Sequence, residues 1–346
     1  MRRPNAFTFV ADEVAAVRTA VGAYETGVYA RYEVSGPGAY AWLDHLLASR
    51  LPDVGRLRLA PMLHPKGTLV GDLTVARLDD DRFWLVGSYY LQEWHQRWFA
   101  EHLPASGVRI DNLTDHWLGF AISGPSSREL LSRLTRADVS DAAIPFMSVR
   151  RIDVGMSRAT VARLSLTGEL GYEVTVPSTR HEGLWRSLAS VGSDLGLVPI
   201  GDRAVDSLRI EKAYGIWSAE FTQAYTPGMT GLDRFIAWDK GDFVGREAAL
   251  AERDLGPARR LVTLDLGDSD ADAGGDEPVW LGDTVVGLVT SGSYGHHVGA
   301  SLALALVDTE VVESGAAVEV SVIGERRPAT VHATPIYDPS GARMRL

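Results

Sequence analysis

The chain uses one device twice. Residues 34–47, VSGPGAYAWLDHLL, and residues 122–134, ISGPSSRELLSRL, each run from a β-type stretch through Ser-Gly-Pro into helical patterning. In the first, Ala39, Trp42, Leu43, Leu46 and Leu47 recur at helical spacing. A strand–turn–helix unit that recurs implies two related subdomains. The surroundings of each unit agree. Residues 67–88, GTLVGDLTVARLDDDRFWLVGS, read as two strands hinged on Asp79, Asp80 and Asp81, and residues 157–177, SRATVARLSLTGELGYEVTVP, read as a second pair. Residues 90–103 and 201–216 read as helices.

From about residue 256 the pattern changes to short apolar runs broken by Gly, Asp and Pro, which implies an antiparallel β domain. The expected organisation is α+β. Two related α/β subdomains, about 1–115 and 116–255, precede a C-terminal β-barrel at 256–346. With 346 residues, 45% of them hydrophobic, the chain has enough apolar material for two or three cores. Residues 267–278, GDSDADAGGDEP, read as a mobile acidic surface loop. They lack the closing Glu of a calcium loop, so no metal is expected there.

Several functions are disfavoured at once. A formal charge of −11 without a basic run argues against nucleic acid and anionic membranes as partners. Zero cysteines remove disulfides, thiolate metal sites and a Cys nucleophile. No apolar signal region and no run of about 18 apolar residues occurs, so the expected location is cytoplasmic. There is no P-loop, no G-x-G-x-x-G after a strand, no G-x-S-x-G and no H-E-x-x-H.

Two carboxylates stand out. In GYEVTVP, strand alternation sends Tyr172, Val174 and Val176 to one face and Glu173 and Thr175 to the other. The apolar set belongs in a core, so Glu173 faces solvent or a cavity. Asp72 follows Gly71 in a strand, where Asp is a poor residue unless it closes a turn or has a role. Glu169, beside Gly168, reads as a turn carboxylate.

Six segments, in order, resemble one family: PMLHPKGTLVGDLTV, LSLTGELGYEVTVP, GDRAVDSLRIEKAYGIW, YTPGMTGLDRFIAWDKGDFVGREAAL, GLVTSGSYGHHVGASLALALV and TPIYDPSGARMRL. It is the aminomethyltransferase family of glycine cleavage T-proteins. Within it the match is nearest the folate-binding half of dimethylglycine and sarcosine dehydrogenases. The resemblance implies a three-domain ring with tetrahydrofolate, or its 5-methyl or 5,10-methylene form, in the central opening. It places the family's pterin-binding glutamate at Glu173, where a carboxylate meets the pterin N–H and amino group as a bidentate pair. It places the catalytic aspartate at Asp72, near the folate N5 and N10 nitrogens. Tyr172, Arg209 and Tyr337 join Glu173 as cofactor-binding candidates, although Arg209 also suits a bond between loops and Tyr337 the end of the barrel core. Tyr89, Tyr90 and Trp217 are candidates to line the substrate space. Arg234, Lys240 and Arg246 are candidate cations for the folate glutamate tail.

The chain departs from the family pattern at several points. An arginine that contacts folate corresponds to Val205, the paired glycines before the Asp become Gly67-Thr68, and an expected asparagine falls at Gly87-Ser88. Relatives that assist iron–sulfur assembly carry a Cys where this chain has Asp242. No FAD fingerprint is present. The resulting expectation is a tetrahydrofolate-dependent methyl or methylene transferase acting on a small amine, ether or sulfonium substrate. Two alternatives stay open: an O- or S-demethylase, and a non-catalytic folate-binding subunit of a separate amine oxidase. A separate oxidoreductase or carrier protein is a possible partner.

Overall fold

Glycine explains why the repeated turn is built as it is. Gly36 and Gly124 have φ of 114° and 133°, a region closed to most L side chains. A Cβ on Gly36 would lie 2.5 Å from the Gly107 carbonyl oxygen, and one on Gly124 would lie 2.5 Å from that of Ala20. Each glycine therefore lets a strand turn sharply under a neighbouring backbone. The helices Ala39–Leu46 and Ser127–Ser132 follow directly.

The computed structural model describes residues 3–346. A first sheet is antiparallel throughout, in the order Leu57–Leu63, Leu69–Asp79, Arg82–Ser88, Tyr29–Ser35, Arg109–Asn112. A second has the order Leu197–Pro199, Val21–Glu25, Trp117–Ser123, Gly171–Pro177, Ser157–Arg163, Ser148–Val154. Only its Val21–Glu25 and Leu197–Pro199 pair is parallel. The two strand pairs expected from alternation are present in these sheets.

The subdomain boundary expected near residue 115 does not follow the sheets. The strand Val21–Glu25 belongs to the second sheet, where Gly22 to Glu25 pair with Ser123 to Phe120. The helix Phe7–Thr19 packs with it through Val10, Val14 and Val17. Local pattern could not reveal this, because pairing partners lie about a hundred residues apart.

The tail forms a closed six-stranded antiparallel barrel from Arg259–Asp265 to Glu325–His332. The acidic segment at 267–278 is not a free surface loop. Its alternation of Asp and Ala sends Ala271 and Ala273 into the barrel core, at 1% and 2% exposure. Its Asp270 pairs with Arg327, and Asp272 accepts a hydrogen bond from Ser301.

The site is set by how the two sheets meet. On the outer face of the first sheet, Ala30, Tyr32, Val34, Leu73, Val75, Phe83 and Leu85 pack against the helices Ala39–Leu46 and Gln92–His102. The inner faces share an apolar cluster of Leu57, Ala76, Trp84 and Val149, with Trp117 and Ala162 against it. Trp84 and Trp117 meet edge to face at 5.0 Å, a geometry worth about 1 kcal/mol beyond area burial. Beyond this cluster the inner faces turn polar.

Candidate functional site

Residues opposite one another in an antiparallel pair share a face, so strand register identifies who meets whom. In the first sheet Thr74 pairs with Val86, and Val86 with Arg31. Two residues further along each strand lie Asp72, Ser88 and Tyr29, with Ser88 and Tyr29 directly paired. In the second sheet Tyr24 and Glu173 flank Ala121 as its partners on either side. Both rows face inward. Their central members, Ser88 and Ala121, are small, which leaves room between the flanking side chains.

Tyr24 and Tyr29 lie where the rows meet, close enough that the two phenols affect one another and both feel the charge of Glu173. The result is an arc: Asp72, Ser88, Tyr29, Tyr24, Ala121, Glu173. Tyr29 lies at its middle and feels the charge of both Glu173 and Asp72.

The electrostatics of the arc are unusual for this protein. Desolvation pushes the Asp72 carboxyl up to about 7, against a hydrogen bond from its own backbone N–H that pulls it down. Desolvation also raises Glu173, while the nearby Arg31 guanidinium pulls it back. Burial holds Tyr24 and Tyr29 well above the usual phenol range, so both are neutral hydroxyls at physiological pH. Arg31 does not close on Glu173. Its guanidinium donates to Thr26 O at 2.9 Å, Thr26 Oγ1 at 2.8 Å and Tyr29 O at 3.1 Å.

Asp72 is supported from behind by His95. Gly71 and Gly87 both back onto this ring. A Cβ on Gly71 would lie 2.8 Å from His95 Nε2, and one on Gly87 would lie 2.9 Å from Cε1. His95 is fully buried, bonds Tyr32 through Nδ1 at 3.2 Å, and is pushed down to about 4 by burial, so it is neutral. Trp94, on the same helix, donates to Val70 O at 3.1 Å. The helix Gln92–His102 therefore fixes the strand that carries Asp72.

The remaining sequence candidates lie elsewhere. Tyr172 is 1% exposed, with its ring in the core behind Glu173 and its hydroxyl accepting from Arg128 Nε at 3.0 Å. Arg209 is spent on Asp206, Tyr214 O and Glu220, and Glu220 in turn accepts from Thr290 and Ser291 of the barrel. Tyr337 donates to Glu169 and lies against Arg18, whose guanidinium is 3.7 Å from its ring centroid. These three hold elements together and do not face the arc. Tyr89 and Tyr90 are exposed on the short turn Tyr89–Leu91 that leaves Ser88. Trp217 is buried among Leu63, Leu69, Leu91 and Phe221. Lys240 is consumed by Asp44 and the carbonyls of Leu47 and Ser49. Arg234 lies over the Phe235 ring, and Arg246 begins the helix Arg246–Leu255.

Glu169 is more than a turn residue. It is fully buried and takes bonds from Arg18 at 3.0 Å, Arg343 at 3.1 Å and Tyr337. Arg18 also reaches Glu211 at 2.6 Å. This cluster ties the first helix, the 165–170 turn, the helix Asp202–Glu211 and the tail. Tyr24, Tyr29 and Arg31 were not singled out from sequence, and Ser88 entered only as a departure from the family pattern. The available signal was the period of two in YARYEV, which sets Tyr29 and Arg31 opposite the core residues Ala30 and Tyr32.

Comparison with known proteins places this geometry. The model for the GCVT N-terminal domain matches residues 1–240, and that for the glycine cleavage T-protein C-terminal barrel domain matches residues 259–338. An aminomethyltransferase of Bacillus subtilis (strain 168) is 32% identical over 96% of this chain and 92% of its own length. The mitochondrial dimethylglycine dehydrogenase of Homo sapiens is 33% identical over the whole chain, which spans 40% of that protein. The formaldehyde-forming 4-methylaminobutanoate oxidase of Paenarthrobacter nicotinovorans is 32% identical over 99% of the chain and 42% of its own length. Among solved structures, the glycine cleavage system aminomethyltransferase T of Bartonella henselae superposes with a TM-score of 0.87. It is 22% identical, covering 95% of this chain and 90% of that one.

Proposed function

We propose a tetrahydrofolate-dependent transfer of a one-carbon unit for this chain, which belongs to the glycine cleavage T-protein family. Members of that family are folate-dependent transferases, and the chain has their three-part architecture of two sheets and a barrel. The observation that carries the reading is a contrast among carboxylates. The fully buried Glu169, Glu211 and Glu220 are each satisfied by protein donors. Among the described residues Glu173 has no side-chain hydrogen bond or ion pair, and Asp72 has only the bond from its own backbone N–H; both are recessed on the inner faces. Half-buried carboxylates with so few protein donors keep acceptor sites that water or a ligand must fill.

A pterin brings the right ones. Its amino group and ring N–H offer two parallel donors, and Glu173 accepts both. Asp72 then stands where the reacting folate nitrogen and the small substrate meet. As an anion it stabilises the positive charge that develops while the one-carbon unit moves, and as an acceptor it orients the attacking nitrogen. In this reading the flat ring lies between the rows, over the small side chains of Ser88 and Ala121.

The donor is a small N-methylated or aminomethylated compound in this reading. A second reading follows from the longer relatives, of which this chain matches about two fifths. In it the chain receives the one-carbon unit from a separate amine oxidoreductase. Among the described residues no helix is long and apolar enough to cross a membrane.

Calorimetric titration of Glu173→Gln with tetrahydrofolate tests the assignment. The amide keeps the shape but removes one acceptor and the charge. Affinity should fall by about ten- to a hundredfold, the range for losing a charge-assisted bond. Unchanged affinity would sink the pterin role of Glu173.

A further inference from the structure

The free edge of the first sheet carries donors that the arc does not use. Leu57–Leu63 is the edge strand, and most of its outward backbone groups are taken. Leu57 N–H donates to Met147 O at 3.0 Å, and Pro61 O accepts from Ala48 N–H at 3.0 Å. Strand alternation turns Leu59 outward with them. Its carbonyl accepts from Ser49 Oγ at 3.1 Å, but its N–H meets no acceptor among the described residues. Leu59 lines a half-open recess of about 610 Å³, walled by parts of residues 50–59, by Met147 and by residues 234–239.

The charges around this recess are one-sided. Four arginines line it, against two aspartates. Arg50 is paired with Asp239 at 2.7 Å, which leaves Arg56, Arg58 and Arg234 facing only Asp53. None of these three has a carboxylate partner among the described residues. Arg56 donates to Phe146 O at 3.0 Å, Arg234 lies 4.9 Å over the Phe235 ring, and Arg58 is exposed with no bond. In a chain of net charge −11, where most guanidiniums could find an acid, three unpaired ones at one recess with a free N–H make a set of donors. Leu57, Met147, Phe235 and Ile236 add an apolar wall.

We propose that this recess is a second ligand site, which takes a small organic anion with a carboxylate or phosphate head and an apolar body. The head group meets the Leu59 N–H and the guanidiniums, whose forked donors match both kinds of oxyanion. The body lies against the apolar wall, and the volume is in the range of small-molecule sites. A peptide fits less well. Strand addition needs a run of free donors and acceptors along an edge, and this edge offers one N–H. No residue of the arc lines the recess, so the assignment does not rest on the folate reading.

Photolabelling with 4-benzoylbenzoate, an aryl carboxylate, tests it on the full chain, with 4-benzoylbenzamide as the neutral probe of the same shape and 4-benzoylphenyl phosphate as the phosphate form. At least one of the two anions should label peptides from 50–59, 146–147 or 234–239 saturably. The amide should label them about tenfold less well, the range for losing a charge-assisted bond. The tighter of the two anions identifies the head group. Raising the ionic strength should weaken the labelling, because the guanidiniums are partly exposed. Arg58→Gln and Arg234→Gln remove exposed groups that make no hydrogen bond to protein, and thermal melting checks that each is folded. Each should raise the half-saturating concentration of the anion by about three- to tenfold and leave the amide unchanged. Arg186→Gln, on the exposed face of a distant helix, should change neither. Labelling by the amide as strong as by the anions, label confined to other peptides, or anion labelling indifferent to both Arg58→Gln and Arg234→Gln would each overturn the proposal.

Discussion

Replacing Asp72 with Asn should stabilise this protein while ending its turnover. The carboxyl is held at about 7 in the folded chain, against 3.8 for an ordinary aspartate. Below about 3.8 both folded and unfolded chains hold the proton, and Asp72 costs nothing. As pH rises from there to about 7, the unfolded chain releases its proton and the folded one resists. Stability therefore falls across that interval and levels off above it. A rise of roughly three pH units, at about 1.4 kcal/mol each, sets a ceiling of about 4 kcal/mol on the cost of the folded anion. Asp72 keeps partial access to water, which solvates the anion, so about 2 kcal/mol is the expected value at pH 8.

Asparagine has nearly the same shape and does not titrate. The stability difference between Asp72→Asn and the unmodified chain should be near zero around pH 4. It should grow through neutrality and plateau at about 2 kcal/mol by pH 8. Urea unfolding followed by tryptophan fluorescence over this range measures it directly, and other titrating groups cancel in the difference. Turnover of the unmodified chain should rise through about pH 7 as Asp72 ionises. The Asn variant should still bind tetrahydrofolate. A stability difference that does not change with pH, or an Asn variant less stable at pH 8, would refute the argument.

Two further outcomes follow from the surrounding structure. Arg18→Met leaves Glu169 and Glu211 without their shared cation while both stay fully buried, so stability should fall by about 3–5 kcal/mol and the melting temperature by several degrees. A loss under about 1 kcal/mol would mean the cluster only breaks even. Gly71→Ala places a methyl 2.8 Å from His95 Nε2 and 2.9 Å from Met62 Cε, so thermal melting should register a loss of about 1–3 kcal/mol. The methionine end can yield, but the ring is pinned by Tyr32, so Asp72 should shift and activity should fall with stability.

What the sequence revealed divides along a physical line. Features governed by local periodicity were legible: the strand that turns Glu173 away from Tyr172, the Asp72 strand, and the twice-used Gly-Pro turn. Features set by register between distant strands were not. Tyr24 and Tyr29 matter because Val21–Glu25 pairs with Trp117–Ser123 and Tyr29–Ser35 with Arg82–Ser88, and no local pattern announces those partners. Resemblance also misled where it transferred residue type without direction. Tyr172, Arg209 and Tyr337 match the family's residue types, yet each hydroxyl or guanidinium is committed to a protein partner. The acidic segment misled for a different reason. Its charge suggested solvent, but the alternate alanines place it against the barrel core.

The placement of Arg31 sets how the Glu173 carboxyl is charged. Val205 packs on the apolar cluster containing Tyr24 and Ala121. A guanidinium there would have no carboxylate in that cluster to balance it. The cation is instead supplied from the first sheet by Arg31, anchored by Thr26 so that it acts on Glu173 through its field and not through a bond. A direct ion pair would have used the acceptor sites that a pterin needs. Full isolation would have let burial neutralise the carboxyl and turn one oxygen into a donor, facing the donors of the ring. An anchored cation at a short remove opposes the desolvation that raises the Glu173 carboxyl, and its own bonds go to Thr26 and the Tyr29 carbonyl. Ser88 places a small hydroxyl directly opposite Tyr29 in the first sheet.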